Sequence, residues 1–110
     1  MRQFRYFCLA IALLFAAVLY AGQIYGSIIS AGKGVPKATI EITCGGSTTK
    51  GVTAADGSYR INVSQEGQCT LSLPGYAGRP SAVIFSNPNP SAYSFELIRR
   101  PDGNYELKRR

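Results

Sequence analysis

From residue 38 to residue 73 apolar and polar side chains take turns along the chain. Ala38, Ile40, Ile42 and Cys44 alternate with Thr39, Glu41 and Thr43. Tyr59, Ile61 and Val63 alternate with Arg60 and Asn62, and Cys69, Leu71 and Leu73 alternate with Thr70 and Ser72. Successive side chains of a strand point to opposite faces, so this period marks strands with one dry and one wet face. The same reading predicts a first strand over 23–30, with Ile24, Gly26 and Ile28 on one face. It also predicts a late strand in which Tyr93, Phe95 and Leu97 share a face. The polar stretch 48–53 fits an edge strand. Residues 81–85 are β-prone, but an unbroken apolar run leaves their inward phase undecided.

Turn chemistry separates these segments. Ala31-Gly32-Lys33-Gly34-Val35-Pro36, Gly45-Gly46-Ser47, Ala55-Asp56-Gly57, Gln65-Glu66-Gly67, the glycine- and proline-rich stretch 74–80 and Asn87-Pro88-Asn89-Pro90 all break pairing. Breaks at ~8–12-residue intervals, with no stretch of helical period, predict an all-β, Ig-like β-sandwich of about seven to eight strands. Pro101-Asp102-Gly103 turns the chain into a final strand carrying Tyr105 and Leu107 in phase. That predicts a C-terminal hairpin in which only Arg109 and Arg110 are loose.

Cys44 and Cys69 both fall on the apolar phase of their strands, which predicts a buried disulfide and a location outside the cytoplasm. The N-terminus agrees. Arg2 and Arg5 precede an apolar run over 7–19, and the small residues Ala21 and Gly22 follow, the order of a secretory signal. The expected organisation is a signal helix over residues 1–21, cleaved after Ala21, and a periplasmic or secreted domain over 22–110. The run is shorter than the ~20 residues of a spanning helix. If uncleaved, it would be the chain's one tie to a membrane. Cleavage also removes Cys8 and leaves an even pair of cysteines.

Chemistry is sparse. The chain has no histidine, which excludes Ser-His-Asp triads, Cys-His pairs and histidine metal sites. Two cysteines do not make a zinc site, and the carboxylates fall in turns or on outward faces. The reading is a non-catalytic protein with no cofactor and no metal. The net charge of +6 loses two units with the signal, and much of the rest sits at Arg99, Arg100, Lys108, Arg109 and Arg110. Export argues against nucleic acid. It leaves an envelope protein or an acidic polysaccharide as the expected partner of a monomer. Tyr76, with Arg79 close by in the 74–80 loop, is the candidate contact with such a ligand or partner, as the aromatic expected to be exposed.

Several of these residues resemble a known pattern. Gly26 and Ile28, the turn ending Gly34-Val35-Pro36, Ala38-Thr39-Ile40, Asp56-Gly57-Ser58-Tyr59-Arg60-Ile61 and Gly67 before Cys69-Thr70-Leu71 resemble the carboxypeptidase regulatory-like domain. The resemblance runs over about residues 24–97. It implies a transthyretin-like (prealbumin-like) sandwich with a non-catalytic role, as an envelope or extracellular interaction or structural module. A carbohydrate-binding module for acidic or envelope polysaccharide is the alternative. The hydroxyisourate hydrolases of the wider fold group use histidines and a Tyr-Arg-Gly-Ser terminus. This chain has no histidine and ends Leu-Lys-Arg-Arg.

Overall fold

The computed structural model describes residues 22–110; the expected signal helix and its cleavage site after Ala21 lie outside the described residues or at their boundary. Ten strand segments follow one another: β1 (Gly22–Ser30), β2 (Lys33–Gly34), β3 (Thr39–Cys44), β4 (Ser47–Val52), β5 (Ser58–Val63), β6 (Gly67–Ser72), β7 (Ser81–Ser86), β8 (Ser91–Ala92), β9 (Phe95–Arg99) and β10 (Tyr105–Arg109). The described residues contain no helix. Two of the segments have two residues each, so the expected number of full strands holds. The turn expected over 31–36 does contain one of these short pieces, β2, because Lys33 and Gly34 fold back on Ser30 and Ile29.

The segments form two sheets. In the first, β1 is central: β5 pairs with it antiparallel on one side, and β8 and β9 pair with it in parallel on the other. β10 closes a hairpin on β9. The second sheet runs β4-β3-β6-β7, all antiparallel, with the polar β4 at an edge as its composition requires. The parallel return of β8 and β9 beside β1 is not legible from period two, which fixes faces but not neighbours.

The two apolar faces meet in one core. Ile24, Ile28, Ile61, Val63, Phe95 and Leu97 of the first sheet pack against Ile40, Ile42, Leu71 and Ile84 of the second. Fully burying an aliphatic side chain of this size is worth about 1.5–3 kcal/mol. Cys44 and Cys69 belong to this core and are joined by a disulfide. They sit directly opposite each other on β3 and β6, with Cα atoms 4.4 Å apart, the spacing of a non-hydrogen-bonded cross-strand pair. The staple therefore ties two strands of one sheet. In β7 the ambiguity resolves with Ile84 and Ser86 inward, while Val83 and Phe85 face out, both more than half exposed.

The turn pattern has a steric reason. A Cβ on Gly34 would collide with the backbone carbonyl of Asp56, and Gly57 is itself against Ile28 and Gly34, so β1 and β2 touch the β4–β5 turn backbone to backbone. Thr53 locks the same corner. Its buried hydroxyl donates to the Val35 carbonyl at 2.6 Å and accepts from the Ala38 amide at 2.8 Å.

The C-terminus corrects the sequence reading. Arg109 is not loose: it pairs with Phe95 as the last residue of β10, and its guanidinium lies 4.8 Å from the Tyr93 ring centroid. Arg110 donates its backbone amide to the Ser94 carbonyl at 3.0 Å.

Candidate functional site

The outward face of β1 and β5 brings an aromatic ring, a guanidinium and two amide side chains together. Tyr25 is out of phase with the buried Ile24 and is 37% exposed. Register places Arg60 of β5 directly opposite it, and the guanidinium lies 5.7 Å from the Tyr25 ring centroid. At that distance the cation is drawn to the negative face of the ring. Two residues along each strand, Gln23 and Asn62 form the next pair on the same face. Gln23 Nε2 donates to Asn62 Oδ1 at 3.1 Å, and Arg60 Nη1 donates to Gln23 Oε1 at 3.4 Å.

An open cleft of about 380 Å³ adjoins this face where β5 meets the edge strand β4; Tyr25, Val52, Ala54, Ser58 and Arg60 line it. Val52 is 60% exposed there and supplies an apolar wall. The Ser58 hydroxyl donates to Asp56 Oδ1 at 2.6 Å, and the Ser58 amide donates to the same oxygen at 3.0 Å. These bonds hold the Asp56 carboxyl below its ordinary 3.8. A carboxylate so stabilised is a weak base, so the pair closes a turn rather than activating a nucleophile. Tyr59, on the inward face of β5, donates a hydrogen bond from its hydroxyl to the Tyr93 carbonyl, and burial pushes its ionisation upward from 10.0.

The residues expected to form the contact are elsewhere. Tyr76 is half-buried, not exposed as expected: it packs on the core and meets Tyr105 edge to face, ring centroids 5.1 Å apart. Its ring closes one end of the sandwich. Arg79 is exposed, but its Nη2 bonds Glu41 Oε2 at 2.9 Å on the outer face of the second sheet. The two side chains thus engage different partners on different surfaces. Lys50 approaches the same Glu41 at 3.8 Å. Among the described residues no group of three or more His, Cys, Asp and Glu side chains is placed to hold a metal ion.

Tyr25 and Arg60 did carry a sequence signal, since an aromatic on the wet phase of a strand is worth asking about. Their pairing needed the β1–β5 register.

Fold and site together define an all-β domain of two sheets with a cross-strand disulfide and an aromatic–cationic outer face. No protein-family model matches the chain and no curated protein matches it. Among solved structures it is similar to a DUF3823 family protein from Parabacteroides merdae, with a TM-score of 0.55 at 8% identity. The match covers 82% of this chain and 47% of that one, so the chain spans about half the neighbour's length. At this identity the likeness concerns the fold alone, a β-rich one.

Proposed function

We propose that the chain is a non-catalytic, exported β-sandwich of the carboxypeptidase regulatory-like, prealbumin-like type, acting as an interaction module in the cell envelope or extracellular space. The observation that carries the reading is the Tyr25–Arg60 pair on the outer face beside an open cleft. Concave sites with an apolar wall and a few convergent polar groups are where ligands and partners bind. The buried Cys44–Cys69 bridge supports an oxidising compartment. The alternative site for a polysaccharide, Tyr76 with Arg79, is less well supported, because Tyr76 packs on Tyr105 while Arg79 pairs with Glu41 on a different surface.

Site-specific photo-cross-linking in intact cells tests this reading. A photoreactive residue in place of Tyr25 should give light-dependent adducts in the envelope or extracellular fraction, and one in place of Asp102, in the far hairpin turn, should give none. Equal adduct patterns from both positions, or a chain retained in the cytoplasm, would count against it.

A further inference from the structure

We infer that the outer face around Tyr25 is a binding platform for an acidic saccharide, with Arg60 on a uronate carboxylate and Tyr25 against a sugar ring. The inference rests on the binding-module reading above and gives the ligand of that site a chemistry.

Register leaves one flank of the Tyr25 ring without a large neighbour. Arg60 flanks it from β5, and the neighbour from β8 on the other side is Ala92, exposed and too short to cover an aromatic ring. The negative face of an aromatic attracts positively polarised edges, and the C–H face of a pyranose is such an edge. A sugar ring above Ala92 would lie on that open side.

The polar groups beside the ring are biased in one sense. The hydrogen bonds run Arg60 to Gln23 to Asn62, so the Gln23 and Asn62 carbonyl oxygens each already accept a bond from inside the patch. What remains outward is mostly donor: the rest of the guanidinium fork, the second amide proton of Gln23 and the amide nitrogen of Asn62. Such a surface selects a ligand rich in acceptors. Among the described residues no carboxylate pairs with Arg60, unlike Arg79 and Arg100, and the chain carries an excess of positive charge. An anionic acceptor is therefore favoured over a neutral one, and a carboxylate fits the planar fork in two-pronged fashion.

An acidic peptide would satisfy Arg60 as well. The centre of the platform, β1, is paired along both sides, so a peptide strand could be added only on the far side of β5, away from the flank of the Tyr25 ring beside Ala92. The ring, the amides and the guanidinium match a hydroxyl- and carboxylate-bearing ring more completely than a peptide backbone.

Isothermal titration of the exported protein with uronate trisaccharides (galacturonate, glucuronate and mannuronate), against neutral galactotriose and a hexaglutamate peptide, tests the assignment. At least one uronate should bind tenfold or more tightly than both controls. Arg60→Gln and Tyr25→Ala should each weaken that binding at least tenfold with the melting temperature unchanged, while Tyr76→Ala should leave it intact. No binding of any uronate, equal binding of hexaglutamate, or an Arg60→Gln protein that binds as before would overturn the saccharide assignment. Protein adducts from position 25 in the cross-linking experiment would, in that event, leave the binding-module reading standing.

Discussion

The Tyr59 hydroxyl donates to the Tyr93 carbonyl across the space that Gly26 leaves empty. Gly26 and Tyr59 are direct cross-strand partners, and a Cβ at position 26 would collide with that same carbonyl. Glycine on β1 lets the chain between β8 and β9 come in close, and the tyrosine on β5 satisfies the carbonyl that arrives. Two residues of the resembled pattern are thus explained by one contact.

Gly26→Ala should accordingly be among the costliest single substitutions in the domain. The displaced backbone joins β8 and β9 to β1, so a loss at or above the top of the ~1–3 kcal/mol range of core overpacking is expected. Chemical denaturation of the variant checks it; a loss within the ordinary surface range would show that the carbonyl can move aside freely.

Tyr59 should make the domain sensitive to alkali. Its ionisation is raised above the ordinary 10.0 by burial, with Tyr93 adding to the shift. The folded state therefore keeps the proton where the unfolded chain releases it, and stability falls as pH rises above ~10. Tyr59→Phe should unfold more easily at neutral pH, by ~1–3 kcal/mol for the carbonyl left unpaired, yet lose less on going to high pH. Melting curves of both proteins from pH 7 to pH 11 test the crossing slopes.

On the acid side Asp56 works in the opposite direction. Its carboxyl is held below 3.8 by the Ser58 hydroxyl and amide, so its contribution is present above that value and fades as pH falls through the lowered one. Asp56→Ala should flatten the acid limb of the stability profile. An unchanged limb would mean that the Ser58 bonds add nothing to stability in solution.

Thr53→Val keeps the shape of the side chain and removes both hydroxyl bonds. The Val35 carbonyl and the Ala38 amide would be left unpaired in a buried corner, at a cost of ~1–3 kcal/mol. Thermal unfolding decides it: an unchanged melting temperature would show that water replaces the hydroxyl.

Tyr93 also guards an edge. Its hydroxyl accepts the Phe85 amide at 3.0 Å on the free side of β7, a strand without charge that presents Val83 and Phe85 to solvent. Uncapped apolar edges recruit further strands. Tyr93→Phe should self-associate at lower concentrations than the parent, as read by sedimentation velocity.

Much of the fold was legible because one face of each long strand is dry. Ile40, Ile42, Ile61, Val63, Leu71 and Phe95 all lie where alternation puts them, and the cysteines on that phase are joined. β7 was not legible, because Ala82, Val83, Ile84 and Phe85 are all apolar, and only the register that sets Val83 and Phe85 opposite the outward Thr70 and Gln68 of β6 decides their face. The order of Arg109 and Arg110 was missed for a related reason. Their partners, Phe95, Tyr93 and Ser94, come from β9 and the segment before it, and nothing local announces that contact. The candidate site suffered most. Tyr76 reads as exposed because its loop is rich in glycine and proline, yet Tyr105 waits for it at the end of the sandwich. Tyr25, Gln23, Arg60 and Asn62 become one surface only through pairing between strands far apart in the chain.

The proposed location outside the cytoplasm requires the Cys44–Cys69 bridge to be closed in the protein as cells make it, and peptide mapping of the protein under non-reducing conditions tests this most directly. A fragment joining Cys44 to Cys69 is expected, and reduction should lower stability by roughly 2–4 kcal/mol. Quantitative alkylation of both thiols in the protein as isolated would contradict it.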